Sequence, residues 1–288
     1  MAVAVTGANG LVGRATIPLL LAGGSEVRAL VRRPETGEVL QKTGAKVAVA
    51  QLSDPGKLAY VFEGAHTVCH LAGGLDHPDD RAYERSNLET TVVVLEAARD
   101  AGVRRVLFLS YPGASPSAAN SYLRAKGRAE EEIRASGIDH AIIRCTHVVG
   151  PGSEWLSAMR RAGRGPVAMV IGPGTQKLAP VFVGDVAAVL AASDDRATTV
   201  KGTWAIQGPQ EMSADDYVDL LAGRRKPKVH LSVHAARLFG RLAGRRLAPT
   251  LLEILAADSL ADAPDAAAEF GVLLTPLSAA LRRSGEGE

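Results

Sequence analysis

The sequence predicts an α/β protein built on a parallel sheet with helices on both faces. Three observations point there. A short apolar run, Val3-Ala4-Val5, stops at a glycine-rich turn, Thr6-Gly7-Ala8-Asn9-Gly10-Leu11-Val12-Gly13-Arg14, and a helical pattern follows. Strand-like and helix-like segments then alternate through the first half, as they do when parallel strands are joined by helical crossovers. Finally, 288 residues of which 47% are hydrophobic can bury a large core, as one domain or as a domain with a lobe.

Each element follows from a local pattern. Leu11, Val12, Ala15, Ile17, Leu19 and Leu20 line the first helix, which Gly23-Gly24 stops, and Glu26 to Val31 reads as the second strand. Lys46 to Ala50 is the third strand. The loop Gln51-Leu52-Ser53-Asp54-Pro55 then enters a helix reaching about Phe62. His66 to Leu71 is the fourth strand, ending in the small residues Ala72-Gly73-Gly74. A single long helix is expected from about Arg81 to Ala101, then a fifth strand from Arg104 to Ser110. A loop through Asn120, a helix over about Ser121 to Ser136 and a sixth strand from Asp139 to Arg144 complete the regular half.

Beyond Gly150-Pro151-Gly152 the alternation loosens. A helix is expected near Ser153 to Ala162, a short strand at Val181 to Val183, and a helix through Ala192 that Asp185 caps or opens. Thr203 to Ile206 is a further strand. Ser213, with Asp215 and Asp216 in the next turn, is a sound helix N-cap. Helices near Val233 to Leu242 and Pro249 to Ala256 follow, then a segment ending around Leu277. Residues after Arg283 read as disordered.

The glycine turn carries the first functional signal. A chain passing from strand to helix there turns tightly, and the amides of the helix start would face a pyrophosphate that the helix dipole favours. Arg32 and Arg33 stand at the end of the second strand, where an NAD site usually places an acidic residue for the ribose 2′-hydroxyl. Guanidinium groups suit a 2′-phosphate, so NADP(H) is the expected cofactor, with Arg14 on the same side.

Composition excludes several classes. The net charge is +2 with signs mixed along the chain, which gives no nucleic-acid face; Arg224-Arg225-Lys226 and Arg245-Arg246 read as solvated helix ends. No apolar run has the length of a membrane span, and the N-terminus enters a strand directly instead of a signal peptide. Cys69 and Cys145 sit in apolar runs and read as buried thiols of a cytoplasmic protein.

The segment Thr6 to Gly13 resembles the TGxxGxxG cofactor loop of the short-chain dehydrogenase/reductases, and further motifs resemble their extended and atypical, NmrA-like branch. His70-Leu71-Ala72-Gly73 is similar to the HxAG strand end, and Asn87 through Ala98 to the N…T…LEAA helix. Ile143-Arg144 to Gly150-Pro151-Gly152 is similar to the RPxxVxGPG segment, and Pro180 to Ala187 to PVxVxDVA. The likeness runs nearly the whole chain. It implies a Rossmann, doubly wound sheet in the order 3-2-1-4-5-6-7. The NADP-binding core would be 1–150, continued by about 178–206; 151–177 and 207–288 would form a small C-terminal substrate-binding lobe.

The resemblance also implies roles. Thr6, Gly7, Asn9, Gly10, Leu11 and Val12 would cradle the cofactor, with Leu71, Ala72 and Gly73 beneath it, Gln51 and Leu52 at the adenine, and Cys145 and His147 near the nicotinamide. Ser110, Tyr122 and Lys126 fall where the family carries its Ser, Tyr and Lys. Tyr122 and Lys126 are one helical turn apart and share a face. Lys126 would hold the nicotinamide ribose and lower the phenol pKa from about 10. Ser110 would donate to the substrate carbonyl and Tyr122 would protonate its oxygen. The sequence departs from the family at Gln51, usually acidic, at Cys145, usually proline, and at Tyr111-Pro112 after the serine. His147 reads either as a second proton donor or as a hydrogen-bonded structural residue.

Three functions are weighed. The first is an NADPH-dependent ketoreductase whose lobe residues Trp155, Met159 and Phe182 face an apolar, bulky, aromatic substrate, such as an angucyclinone-like polyketide being tailored. The second is a non-catalytic NADP-binding regulator or assembly subunit, since Leu251 to Leu277 is similar to the complex I-like branch. The third is a sugar-nucleotide epimerase or dehydratase, although the arginine with which extended relatives bind a nucleotide diphosphate has no obvious counterpart beyond Arg160 and Arg161. No metal, nucleic acid or membrane is expected, and the chain is expected as a monomer or homodimer.

Overall fold

Short apolar runs become strands buried on both faces, because helices cover each side of a parallel sheet. In the computed structural model the sheet strands are β1 (Ala2–Thr6), β2 (Glu26–Val31), β3 (Lys46–Val49), β4 (Thr67–His70), β5 (Arg105–Ser110), β6 (Asp139–Cys145) and β7 (Lys201–Ile206). The structure describes residues 1–288 except 76, 78, 196–200, 243–247 and 286–288, and the side chains of 162 and 239–242. Arg245-Arg246 therefore lies outside the described residues. All neighbouring pairs are parallel, in the expected order 3-2-1-4-5-6-7. Val3 of β1 stands opposite Val27 of β2 on one side and Thr67 of β4 on the other. The strand order reverses there, so the carboxyl ends of β1 and β4 flank the crevice where such sheets bind ligands.

The principal helices are α1 (Leu11–Ala22), α2 (Pro55–Phe62), α3 (Thr90–Asp100), α4 (Ser121–Ala135), α5 (Glu154–Ala162), α6 (Val183–Asp195), α7 (Ala214–Ala222), α8 (Val233–Leu242) and α9 (Pro249–Ala256). Alternate strand residues feed two cores. Val3, Val5, Leu107 and Ile143 pack with Val12, Ile17 and Leu20 of α1 and Val186, Val189 and Leu190 of α6. Ala4, Val68, Phe108 and Ile142 face the opposite way, onto Leu58 and Phe62 of α2, Val94 of α3 and Ile133 of α4. Each such aliphatic or aromatic side chain contributes roughly 1.5–3 kcal/mol by leaving water. A third core fills the lobe, where Leu156, Val170, Leu178, Tyr217, Val218 and Leu277 meet.

The expected helix from Arg81 to Ala101 is not one α-helix. An α-turn (Asp80–Tyr83) widens into a π segment (Glu84–Glu89) before α3. The extra residue turns Asn87 toward the end of β4, where its Oδ1 accepts the Gly74 amide at 3.3 Å and its Nδ2 donates to the Gly74 carbonyl at 3.1 Å. Asp185 does not cap a helix; it lies inside the first turn of α6, and its carboxylate accepts the Thr275 amide and hydroxyl, both at 2.7 Å. Of the residues after Arg283 expected to be disordered, 286–288 lie outside the described residues. Two short helices, Ala266–Phe270 and Leu277–Arg283, occupy the tail, and Ser284 is buried with its hydroxyl donating to the Ala280 carbonyl. Parallel pairing of Ala168–Ile171 with Lys228–Leu231 also escaped the sequence reading, since each is four residues long and wins its place only by meeting the other.

Candidate functional site

The glycine turn is built by contact. Gly7 adopts φ +66°, and a Cβ there would lie 2.7 Å from the Ala72 nitrogen. A Cβ on Gly13 would lie 2.5 Å from the Gly7 carbonyl oxygen. The turn thus presses against the end of β4 and against its own helix start, and only glycine fits. Helix α1 opens at Gly10 with no side-chain cap and no acidic residue in its first turn. Its first amides keep their donors available to an anion.

A cavity of about 660 Å³ opens over this turn. Gly7, Asn9, Gly10, Arg32, Gln51, Leu52, Leu71, Ala72 and Gly73 line it, nine of the expected cofactor residues. Its size and its glycine floor fit a dinucleotide. Ser53, Arg85, Ser86 and Thr90 also line it and were missed. Arg85, Ser86 and Thr90 sit in or next to the π segment, which no local sequence signal marked.

Other expected contacts lie elsewhere. Thr6 is fully buried, so its hydroxyl supports the loop from beneath. Arg14 does not line the cavity and reaches the loop after β6, with a guanidinium nitrogen 3.2 Å from where a Gly152 Cβ would stand. Arg33 is exposed, does not line the cavity, and precedes the short 3₁₀ turn Pro34–Gly37. Leu11 and Val12 offer backbone amides while their side chains pack with the core. Cys145 is buried in that core and burial pushes its thiol pKa up; Cys69 is likewise a buried free thiol.

Beneath the turn, a directed chain of hydrogen bonds fixes the protonation of His70. The Thr91 hydroxyl donates to the Asn87 carbonyl at 2.7 Å, so it accepts from His70 Nε2 at 3.1 Å. His70 Nδ1 then accepts the Thr6 hydroxyl at 2.6 Å, and Thr6 in turn accepts the Ala72 amide. Burial, with the Lys126 charge nearby, lowers the His70 pKa to about 3. The imidazole is neutral and serves to hold the ends of β1 and β4 in register.

Helix α4 starts at Asn120, whose side chain accepts the Tyr122 and Leu123 amides. Lys126 donates to the Leu109 carbonyl at 2.9 Å, and its Nζ stands 4.5 Å from the Phe108 ring centroid. That nitrogen is 3.2 Å from where a Gly73 Cβ would be, so Lys126 stands against a residue that lines the cofactor cavity. Burial lowers its pKa to about 8, against an opposing pull from Glu130. The Tyr122 hydroxyl has no hydrogen-bond partner among the described residues, and burial raises its pKa, which keeps it protonated. Tyr83, Tyr111 and Ile254 enclose its ring, with Leu75 and Leu123 packed outside. Ser110 does not offer its proton to this space: it donates to Glu130 at 2.7 Å, which leaves it no hydrogen for a carbonyl.

His147 sits against the Tyr111 hydroxyl at 3.0 Å, which also meets Ser259 at 2.9 Å, and burial lowers its pKa to about 4. Trp155, Met159 and Phe182 are half-buried against the lobe core, and the Trp155 ring lies 4.5 Å from His147 and 5.2 Å from Tyr217. A second cavity of about 560 Å³ adjoins the first through His77 and Arg85 and is lined also by Asp79, Asp80, Arg81, Tyr83 and Arg237. Its lining is rich in charge, and Trp155, Met159 and Phe182 are not part of it. Among the described residues, no helix is long and apolar enough to cross a membrane, and no cluster of His, Cys, Asp or Glu could hold a metal.

Comparison with known proteins agrees with this geometry. Residues 7–193 match the family described as NAD(P)H-binding. A ceramide reductase of Caulobacter vibrioides is 33% identical over 191 residues, 66% of this chain; the chain spans 60% of that relative's length. The (4-alkanoyl-5-oxo-2,5-dihydrofuran-3-yl)methyl phosphate reductase of Streptomyces griseus subsp. griseus is 30% identical over 237 residues, 81% of this chain and 78% of that one. The Citrobacter sp. triphenylmethane reductase complexed with NADP(H) has the same fold, with a TM-score of 0.81 at 20% identity, over 99% of this chain and 100% of that one.

Proposed function

The chain belongs to the NAD(P)H-binding family, among the extended and atypical short-chain dehydrogenase/reductases, and from that premise we propose that it is an NADPH-dependent ketoreductase. The observation that carries this reading is Lys126, held on the Leu109 carbonyl beside Gly73 of the cofactor cavity, with Tyr122 one turn away on the same helix. The bound cofactor supplies the hydride. Lys126 binds at the nicotinamide end, and Tyr122, kept protonated by burial, gives its proton to the carbonyl oxygen. Arg32 on the cavity, with no acidic residue at the end of β2, supports NADPH over NADH. The run of packed rings from Tyr83 through Tyr122 and Tyr111 to His147 and Trp155 supports a bulky, apolar, aromatic ketone of secondary metabolism, in a polyketide-tailoring step. The proposed organisation is a nucleotide core, 1–150 continued by about 178–206, with the remaining segments as the substrate lobe.

One observation favours a second reading. Ile254 and two tyrosines cover the Tyr122 ring, as suits an NADP-binding regulator or assembly subunit that does no chemistry. NADPH oxidation with a panel of aryl ketones and quinones separates the two. Turnover that falls roughly 100-fold or more in Tyr122→Phe, at unchanged NADPH affinity, supports the reductase. Tight NADPH binding without turnover supports the regulator, and conversion of a sugar nucleotide without NADPH consumption would mark an epimerase.

A further inference from the structure

Glu130 is almost fully buried two turns beyond Tyr122 on α4, and four donors fill its carboxylate. Oε1 accepts the Ser110 hydroxyl at 2.7 Å and Arg144 Nε at 2.9 Å. Oε2 accepts Arg144 Nη2 at 2.8 Å and Arg134 Nη2 at 2.6 Å. The Arg144 guanidinium also donates to the Ala114 carbonyl at 2.8 Å and to Asp262 at 2.9 Å. Asp262 Oδ2 accepts the Gly113 amide at 2.7 Å as well. One carboxylate thereby ties the end of β5, the loop after it, α4, the end of β6 and the tail into a single network.

We propose that Glu130 is a positioning residue for the reaction, resting on the reductase reading: it withdraws Ser110 from the carbonyl, holds α4 in place and sustains the charge of Lys126. The balance of donors explains the first part. A serine has one proton, and a buried carboxylate that lost it would keep an unfilled lone pair at a cost of about 1–3 kcal/mol. Ser110 can therefore accept a hydrogen bond but not polarise a ketone, and that duty falls to Tyr122 alone.

The third part follows from what surrounds Lys126. His70 on β4 is neutral, the Phe108 ring and Leu109 carbonyl of β5 are uncharged, and Asn87 of the π segment and Tyr122 are neutral too. Glu130 is the anion whose field reaches it, one turn along its own helix, opposing the cost of burial. Arg144 and Arg134 temper that field from the far side.

Titration of Lys126 by NMR of ¹³C-labelled lysine, assigned by loss of the signal in Lys126→Met, reads the proposal without turnover. Glu130→Gln should move that titration to lower pH, and Glu130→Asp should return it toward the wild-type value. Arg134→Met, at a half-exposed position that the fold tolerates, leaves the carboxylate less compensated and should move it to higher pH. In turnover assays Ser110→Ala should lose no more than about fivefold, against the roughly 100-fold of Tyr122→Phe. An unmoved Lys126 titration in both Glu130→Gln and Arg134→Met overturns the proposal. So does a Ser110→Ala loss as large as that of Tyr122→Phe. Shifted titrations in a protein that reduces no ketone would leave Glu130's control of Lys126 standing and overturn the reductase reading instead.

Discussion

The glycine cradle and the Tyr122 pocket share the carboxyl edge of one sheet, yet they are built in opposite ways. The cradle is open: a cavity of about 660 Å³, a floor of glycine backbone, and a helix start with no side-chain cap. The Tyr122 pocket is closed by Tyr83, Tyr111 and Ile254, and bolted by Asn120, which donates to the Thr250 carbonyl at 3.1 Å and to Glu253 at 2.8 Å. One region is shaped before its ligand arrives. The other would have to shift α9 before a bulky ketone could reach the tyrosine. Each rests on a buried neutral histidine, His70 under the cradle and His147 beside the pocket.

The largest expected effect breaks the cradle. Gly13→Val would drive its Cβ into the Gly7 carbonyl, 2.5 Å away, where backbone meets backbone and no rotamer helps. We expect a stability loss of about 3 kcal/mol or more and no NADPH binding, read by denaturant unfolding and fluorescence titration. Wild-type NADPH affinity in this variant would remove the cradle as the site.

Acid probes both regions at once. His70 and His147 have folded pKa values near 3 and 4, below the unfolded value, so the unfolded chain binds more protons as pH falls through about 6.5. Stability should drop by roughly 2 kcal/mol for each imidazole between pH 7 and 5. His147→Gln should remove about half of that slope, and an unaltered slope would place the acid sensitivity in the cradle alone.

Smaller changes sharpen the contrast. Arg32→Ser should weaken NADPH by about 10–100-fold while leaving NADH nearly unchanged, as expected of one lost charge-assisted contact. Equal losses for both cofactors would mean that Arg32 does not face a 2′-phosphate. Asn120→Ala removes both the α4 cap and the bolt to α9, at a cost of about 1 kcal/mol. Its revealing readout is hydrogen exchange, which should quicken in 249–256 and stay unchanged in 11–22.

Legibility followed the range of the interactions. Arg32 and the glycines were readable because their neighbours in the chain define them. Ser110, Tyr122 and Lys126 could be named from their motif spacing, but the partner of Ser110 could not. Glu130 lies 20 residues on and looks, in sequence, like one acid in a run of three, Glu130-Glu131-Glu132; only the packing separates the buried one from its neighbours. Arg14 shows the same limit, since its place beside the glycine turn says nothing about which way a long side chain extends.

The sequence by itself determined the strand and helix alternation, the glycine cradle and the basic end of β2. These rest on periodicity of two and 3.6 residues and on turn chemistry, which act within a few residues. Only the tertiary structure decided that the second, charged cavity adjoins the cofactor cavity, that a π segment aims Asn87 at Gly74, and that the tail covers Tyr122. Those features join residues distant in the chain, and their hydrogen bonds and contacts exist only once the sheet has brought its strand ends together.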